Sequence, residues 1–313
     1  MYSIGVDIGG MSIKVGLVDD EGKIVAQTRI KTAPTADEVI KDIAKLTSDL
    51  LAECKVDKKQ FRGIGIGCPG AVTRETGVVA FLPNLGWENV PLVEKLKEYY
   101  DVEIIISNDA NVAALAEAIY GCAKDYNSSI MFTLGTGVGG GIIIDKKLIE
   151  GKLSRGAELG HATLILGGEP CSCGRNGCIE CYASATALIK QTKEEMLSNK
   201  NSDMWAFVDG DINKVDGRTA FECSKSGDRS AIKVVDQYVY YLSESILNML
   251  NIFRPDAFII GGGISAQGDY LIDKIKAYCA KFDYGYKNAP TTEILTATLG
   301  NDAGIIGAAA LLV

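Results

Sequence analysis

Four side chains in the middle of the chain have the types and the spacing of a metal site. His161 is the only histidine in the sequence, and Cys171, Cys173 and Cys178 follow it by ten, twelve and seventeen residues. Three thiolates and one imidazole complete the closed tetrahedral shell that is typical of structural zinc. The alternative is a core histidine beside unrelated buried cysteines. Cys181, just beyond the group, is interpreted as a small apolar residue that could also compete as a ligand.

A carboxylate is the second candidate for chemistry. Asp109 stands between the apolar run VEIIIS and a helical pattern that ends at Gly121. Because Asn and Asp are preferred helix N-caps, a structural cap is the first interpretation for Asn108 or Asp109. A carboxylate at a helix start beside a cleft is also placed to accept the proton of a hydroxyl group. The two roles are compatible, so Asp109 is a candidate general base.

Glycine-rich turns form the third group. The run from Gly135 to Gly140 formally contains GxGxxG, but the segment GIIIDKKLI after it is strand-like, whereas the dinucleotide fingerprint requires a helix there. A Walker A loop is excluded because GxxxxGK[ST] does not occur. The remaining interpretations are a plain tight turn and a turn whose backbone N–H groups bind phosphate oxygens. Similar glycines at 9–10 and 261–263 favour phosphate binding.

The glycine turns belong to a repeated layout of elements. YSIGVDIGG, SIKVGLV and KIVAQTRI predict three strands, and SIMFTLGTGVGGG with GIIIDKKLIEG repeats the pattern, which indicates a duplicated fold with one copy per domain. Between the copies we predict a helix over residues 36–53, a buried strand FRGIGIGCPG and a loop through FLPNLGW. The chain after residue 180 is predicted to be mostly helical, with its longest helix over 231–253, before a strand DAFIIGGG and a final apolar segment. Strands alternating with helices indicate an α/β architecture with mixed sheets.

Length and composition exclude several classes of protein. A chain of 313 residues predicts about two domains, and 47% apolar with 23% charged residues is typical of a globular protein. The 40 acidic residues outnumber the 32 basic ones, and no basic run is present, which argues against nucleic-acid binding. No stretch reads as a secretory leader or a membrane span, so we expect a cytoplasmic protein with reduced cysteines and no membrane partner.

Six ordered motifs resemble those of one family. DIGG, NDAN, GTGVGGG, ELGH, CSCGRNGCIE and IIGGGIS are similar to the motif series of the ROK family of bacterial sugar kinases and repressors, and GHxxxxxxGxxCxCGxxGCxE is matched from Gly160 to Glu180. The resemblance spans nearly the whole chain. It implies an α/β, two-domain actin-like ATPase (ribonuclease H-like) fold with mixed β-sheets and a cleft between the domains. The expected limits are residues 1–110 plus 299–313 for the small domain and 111–298 for the large domain with the zinc loop.

The resemblance also implies an activity, that of an ATP-dependent hexose kinase acting on the 6-hydroxyl of glucose, since FLPNLGWENVPL is similar to the PNL and GW pattern of bacterial ROK glucokinases. Asp109 would be the base, Asp7 would help to hold Mg²⁺, and a homodimer or homotetramer is expected. The implied sugar contacts are Gly70, Asn84, Asn108, Asp109, Glu158, His161 and Glu180. The implied nucleotide contacts are Asp7, Gly9, Gly10, Ser12, Gly135, Thr136, Gly137, Gly139, Gly262 and Gly263.

One residue departs from the family pattern. Met11 stands where the family usually has a threonine whose hydroxyl faces a phosphate, and strand alternation would turn Ser12 to the opposite face. The alternatives to a glucokinase are a kinase for fructose, mannose, N-acetylmannosamine or N-acetylglucosamine, a ROK repressor, and a zinc-stabilised nucleotide-binding protein without catalysis. The repressors carry a helix-turn-helix before the DIGG strand, whereas this sequence starts at that strand and is acidic, so we expect a kinase.

Overall fold

The computed structural model describes residues 1–284 and 291–313. Among these residues, no helix has the length and apolar character needed to cross a bilayer. The strands are β1 (Tyr2–Ile8), β2 (Ser12–Asp19), β3 (Ile24–Lys31), β4 (Phe61–Cys68), β5 (Ala71–Thr73), β6 (Val78–Leu82), β7 (Trp87–Val90), β8 (Glu103–Asn108), β9 (Ser129–Leu134), β10 (Val138–Ile144), β11 (Lys147–Leu148), β12 (Ala257–Gly261) and β13 (Glu293–Thr296). The helices are α1 (Ala36–Glu53), α2 (Leu92–Lys97), α3 (Asp109–Ile119), α4 (Glu180–Ala183), α5 (Ala185–Ser198), α6 (Met204–Phe207), α7 (Thr219–Lys225), α8 (Arg229–Phe253), α9 (Asp269–Phe282) and α10 (Ala303–Ala310).

Two five-stranded sheets have the same strand order. The first is β3-β2-β1-β4-β8 and the second is β11-β10-β9-β12-β13, so each sheet runs third, second, first, fourth and fifth strand of its own set. In the first sheet β1 pairs antiparallel with β2 and parallel with β4, and in the second β12 pairs parallel with β13. Both sheets are embedded in an α/β chain, in agreement with the predicted duplication.

Two compact units divide the chain. The first contains residues 1–129, 141–157 and 298–313, and the second contains residues 130–140 and 158–297, with the gap at 285–290. The first unit therefore extends beyond residue 110, the limit expected from the sequence. The physical reason is the packing of α3 on α10, where a Cβ atom at Gly307 would lie 1.7 Å from the carbonyl oxygen of Val112.

The final apolar segment is a core helix of the first unit. Helix α10 lies against the sheet at two glycine positions, where the strands have no Cβ atom. A Cβ atom at Gly5 of β1 would be 2.0 Å from the carbonyl oxygen of Ile305, and one at Gly65 of β4 would be 1.7 Å from that of Ala308. These glycines let a helix backbone approach the sheet directly, which any larger residue would prevent.

A small antiparallel sheet, β5-β6-β7, lies in the first unit and was not predicted. The segment FLPNLGW, interpreted as a loop, is the end of β6, a 3-10 turn over Pro83–Leu85 and the start of β7. Leu82 and Trp87 are buried on either side of that turn, and Gly86 reverses the chain with φ 66°. The strands are shorter than a pattern of alternating apolar residues can reveal.

Helices dominate the second unit, as predicted for the chain after residue 180. Helix α8 begins after Asp228, whose carboxylate accepts a hydrogen bond from the N–H of Ala231 at 2.7 Å. Tyr238 of α8 is fully buried and donates its hydroxyl to the carbonyl oxygen of Ala183 at 2.7 Å. Helix α8 thereby fixes α4, the short helix that begins at Glu180.

Candidate active site

The polar residues of the first unit lie where three parallel strands end. In the sheet, β1, β4 and β8 are neighbours, and the register pairs Asp7 with Gly67 and Cys68 with Asn108. The carboxyl ends of parallel strands share one edge of a sheet, where α/β proteins bind their ligands. Burial, with the negative charges of Asp109 and Asp7, raises the pKa of the Cys68 thiol. Burial is the main cause of that shift, and the thiol stays neutral.

Asn108 takes the capping role that the sequence left open between Asn108 and Asp109. Asn108 is the N-cap of α3, since its side-chain oxygen accepts hydrogen bonds from the N–H groups of Ala110 at 2.9 Å and Asn111 at 3.4 Å. Asp109 is the first helical residue and is exposed, and its Oδ1 also accepts from Ala110 at 2.9 Å. The cap therefore holds the start of α3 in place, with the Asp109 carboxylate beside it at the sheet edge.

A buried ion pair that sequence reasoning missed supports this strand end. Glu150 is 8% exposed and accepts the hydroxyl of Ser107 at 2.6 Å, directly before Asn108. Its second oxygen accepts from Arg74 at 2.9 Å. A buried carboxylate that accepts from one guanidinium and one hydroxyl rigidifies the elements it joins. No sequence pattern reveals the pair, because its members are separated by the length of several elements.

Two further predicted sugar contacts lie in the first unit, at different places. The carbonyl oxygen of Gly70 accepts from Asn108 Nδ2 at 3.2 Å, so these two are brought together. Gly70 has φ 81°, and a Cβ atom there would be 2.4 Å from the carbonyl oxygen of Phe81. Asn84 is exposed on the turn between β6 and β7.

Asp7 is held by a lysine that the sequence analysis did not single out. Lys14 is its antiparallel partner on β2, and the ammonium donates to Asp7 Oδ2 at 3.0 Å and to the carbonyl oxygen of Asn301 at 3.1 Å. A Cβ atom at Gly304 would meet the Asp7 carboxyl carbon at 2.8 Å, so the start of α10 also borders this carboxylate. The sequence held a signal for this contact, because the predicted hairpin makes Asp7 and Lys14 cross-strand neighbours.

The first glycine turn is open. The N–H of Gly9 donates to the carbonyl oxygen of Ser12 at 3.0 Å, so this predicted phosphate donor is already used within the turn. A Cβ atom at Gly10 would meet nothing within 4 Å, and the Met11 side chain is 83% exposed. Ser12 lies on the same side of β2 as Lys14, and both line a polar pocket of about 560 Å³.

The second glycine turn is crowded. The N–H of Gly135 donates to the carbonyl oxygen of Gly137 at 3.0 Å, and the carbonyl oxygens of Gly135 and Thr136 accept from Ala185 and Thr186 at the start of α5. Gly262 also lies here, since with φ 80° its Cβ atom would be 2.5 Å from the backbone of Leu134. A Cβ atom at Gly263 would meet nothing within 4 Å. The structure therefore brings Gly262 beside the strand that leads into the turn, and it gives internal partners to the N–H of Gly135 and to the carbonyl oxygens of Gly135 and Thr136.

The four predicted zinc ligands come together in the second unit. The ligand atoms of His161, Cys171, Cys173 and Cys178 all lie within 4.8 Å of one another. Cys173 Sγ is 3.7 Å from Cys178 Sγ, and Cys171 Sγ is 3.6 Å from His161 Nδ1. Ligands about 2.0 to 2.3 Å from a tetrahedral zinc ion are separated by about 3.5 to 3.8 Å. Both the donor set and these separations fit zinc, with His161 presenting Nδ1.

The thiols of the cysteine cluster have opposite pKa shifts. Burial opposes ionisation of Cys171, but the backbone N–H of Cys173, the neighbouring thiols and His161 donate hydrogen bonds that lower its pKa to about 6. Burial and the partner thiols raise the pKa of Cys178 to about 12. Cys181 lies outside the group, and its thiol faces the carbonyl oxygen of Pro170 at 3.5 Å.

The segment with the cluster also carries the other predicted sugar contacts. Glu158 is exposed just before His161, and Glu180 begins α4 two residues after Cys178. Glu180 Oε2 accepts a hydrogen bond from the backbone N–H of Val138 at 3.0 Å. Arg175 also stabilises this loop and was not predicted. Its guanidinium donates to Thr163 Oγ1 at 2.6 Å and to the carbonyl oxygen of His161 at 3.3 Å.

Comparisons with known proteins agree over the whole chain. The ROK family model matches residues 3–313. The glucokinase of Halalkalibacterium halodurans is 36% identical over 310 residues, which are 98% of this chain and 93% of that protein, and the glucokinase of Thermotoga maritima is 35% identical over 315 residues, with 99% and 96% covered. The crystal structure of a ROK family glucokinase from Streptomyces griseus in complex with glucose and AMPPNP has a TM-score of 0.81 and 33% identity, with 99% of each chain covered. The fold is that of the ROK sugar kinases, the actin-like ATPase fold, and the chain belongs to the ROK family.

Proposed function

We propose that this protein is an ATP-dependent glucokinase that transfers the γ-phosphoryl group of ATP to the 6-hydroxyl of glucose. The observation that carries the proposal is the full-length similarity to ROK glucokinases, one of them solved with glucose and an ATP analogue. The sheet edge with Asp7, Asn108 and Asp109 supports it, because those residues supply what phosphoryl transfer requires from a protein, namely positioning and charge.

Asp109 acts as the base in this proposal. The 6-hydroxyl oxygen forms a bond to the γ-phosphorus while the bond from that phosphorus to the bridging oxygen of ADP breaks, and the hydroxyl proton passes to a carboxylate oxygen of Asp109. An ordinary carboxylate suffices because the transition state is largely dissociative. The Asn108 cap and the Ser107–Glu150 hydrogen bond support the role by fixing the strand end that carries Asp109.

Six residues are assigned to the sugar hydroxyls. From the first unit come Asn108, the backbone of Gly70, and Asn84, of which the first two are hydrogen-bonded to each other. From the second unit come Glu158, His161 and Glu180. Carboxylates and an imidazole are suitable partners, because sugar hydroxyls both donate and accept hydrogen bonds.

Phosphate and magnesium are assigned to the first sheet edge and to both glycine turns. Mg²⁺ prefers carboxylate and phosphate oxygens, and it neutralises phosphate charge when bound. Asp7 fits as its protein partner, directly or through water, and Lys14 fits a phosphate oxygen. The remaining assigned contacts are Gly9, Gly10, Ser12, Gly135, Thr136, Gly137, Gly139, Gly262 and Gly263.

One zinc ion per chain is proposed for the cysteine cluster. The set of three thiols and one imidazole, with separations of 3.6 and 3.7 Å, supports a closed structural site. Coordination through Nδ1 leaves Nε2 of His161 to a sugar hydroxyl. We also propose a homodimer or homotetramer, by resemblance to the family.

A coupled ATP assay tests the function. We measure kcat/KM for glucose, mannose, fructose, N-acetylglucosamine and N-acetylmannosamine at saturating Mg-ATP, and glucose should lead by at least about tenfold. An N-acetylated sugar in first place would replace the substrate and keep the kinase class. No phosphorylation of any hexose, with sugar binding retained, would instead identify a sugar-sensing protein.

A further inference from the structure

The second glycine turn touches a carboxylate that the proposed function assigns to the sugar. Glu180 Oε2 accepts the N–H of Val138 at 3.0 Å. A Cβ atom added to Gly137 would lie 2.1 Å from the same Oε2 and 3.0 Å from the carboxyl carbon. The carboxylate thus occupies the space that a side chain at position 137 would fill.

The same close fit recurs along the turn. A Cβ atom at Gly140 would meet Leu159 at 2.7 Å, and one at Gly160 would lie 2.0 Å from the carbonyl oxygen of Val138. Residues 135–140 and the segment from 158 to 180 therefore face each other at three points where an added Cβ atom would force a neighbouring group to move. This contact joins the predicted phosphate turn to the loop that carries Glu158, His161 and Glu180.

Backbone conformation does not explain these glycines. In the described part of the chain, the glycines with positive φ do not include Gly135, Gly137 or Gly140. An L-residue at these positions would have an ordinary backbone, so the requirement for glycine at 137 and 140 arises from the space that the facing loop occupies. Gly135 differs, because a Cβ atom there would meet nothing within 4 Å.

We propose that Gly137 and the N–H of Val138 are positioning elements for Glu180, so that the second glycine turn sets the affinity for the sugar. Oε2 is held by the turn, and Oε1 is the oxygen assigned to a sugar hydroxyl. A fixed carboxylate binds a hydroxyl more tightly than a mobile one, because its rotamer freedom is lost before binding. This inference rests on the proposed function, in which Glu180 binds the sugar.

The test compares Gly137→Ala with Gly135→Ala, two equal additions in one turn. Glucose affinity is measured by calorimetry without nucleotide, and the KM for ATP is measured separately. Loss of a hydrogen bond to a charged group corresponds to about ten- to a hundredfold in a binding constant, so the glucose Kd of Gly137→Ala should rise by that factor. Gly135→Ala adds the same methyl group at a turn position assigned to the nucleotide, where it meets nothing within 4 Å, so the glucose Kd measured without nucleotide should stay within about twofold. Equal glucose affinity in both variants would overturn the proposal.

A double-mutant cycle tests whether position 137 acts through its contact with Glu180 or through a general loss of structure. Glu180→Asp shortens the side chain, so Gly137→Ala should cost less glucose affinity in that background than in the wild type. Strictly additive losses would show that position 137 does not act through Glu180. If Gly137→Ala alone fails to fold, Glu180→Ala added to it removes the clashing carboxylate and should restore the melting temperature of Glu180→Ala. A double variant that still does not fold also contradicts the proposal.

Failure of the proposed function and failure of the positioning role give different results. If the wild-type protein phosphorylates no hexose, the proposed function fails before any variant is made. If it is a working kinase and the position 135 and 137 variants behave alike, only the positioning role is lost.

Discussion

The two glycine turns look alike in the sequence and differ in their surroundings. At the first turn a Cβ atom on Gly10 would meet nothing within 4 Å, and Met11 is exposed. At the second, Gly137 and Gly140 are each closed in by the loop that holds the cysteine cluster. A glycine pattern therefore indicates close approach but not which group approaches. In this protein the first turn is open to a ligand, whereas the second is occupied by the protein itself.

The largest effect is expected when the proposed base is removed from the first unit, which contains the open turn. Asp109→Asn keeps the size of the side chain and removes the proton acceptor, so kcat should fall by roughly 100 to 10,000-fold while the glucose KM changes little. Steady-state kinetics measure both. Asp125→Asn, which removes another exposed carboxylate of the first unit, is the control. A kcat within about threefold of wild type would reduce Asp109 to a helix-start residue.

Loss of the metal should weaken sugar binding, because the cysteine cluster lies in the loop that faces the second glycine turn. Cys173→Ser removes one thiolate from the cluster, so elemental analysis should find the zinc lost, and the glucose KM should rise by about tenfold or more because the loop is no longer fixed. Cys54→Ser is the matched control, since this free thiol belongs to the first unit. Full activity in metal-free protein would contradict a role for zinc in shaping the sugar loop.

A variant of Lys14 tests whether the open turn of the first unit binds Mg-ATP. Lys14→Met removes the charge that holds Asp7, so the KM for Mg-ATP should rise by about ten- to a hundredfold, as expected for a hydrogen bond to a charged group, with the glucose Kd unchanged. Lys23→Met, an exposed lysine at the start of the next strand, controls for the change in net charge. Equal ATP KM values in the two variants would show that Lys14 serves only the hairpin.

The smallest effect is expected at position 11. Met11→Thr restores the hydroxyl that the family usually has there, and a neutral hydrogen bond is worth about 0.5 to 1.5 kcal/mol, so the KM for ATP should fall by less than about tenfold. Met11→Val has the same shape without the hydroxyl and should behave like the wild type. A change confined to the glucose KM would show that the open turn does not face the nucleotide.

The sequence predicted elements with strong local signals. Helix α1 has the bounds expected from its pattern because Thr35 and Glu38 form a capping box at its start, and α8 begins two residues before the predicted position because Asp228 caps it. The four cysteine-cluster ligands were identified because a metal site limits residue type and spacing. Contacts between distant segments were not predictable. Glu150 meets Ser107, and Glu180 meets Val138, only after the chain has folded.

The packing of α10 has a consequence for synthesis on the ribosome. This helix fills the glycine-lined face of β1 and β4, yet in the chain it follows all of the second unit. At about 5 to 20 residues per second, roughly ten to thirty seconds separate the emergence of Ser129 from that of Thr298. During that interval the nascent first unit displays a bare backbone surface at Gly5 and Gly65. Synthesis of the second unit is therefore complete before α10 is available to close the core of the first unit.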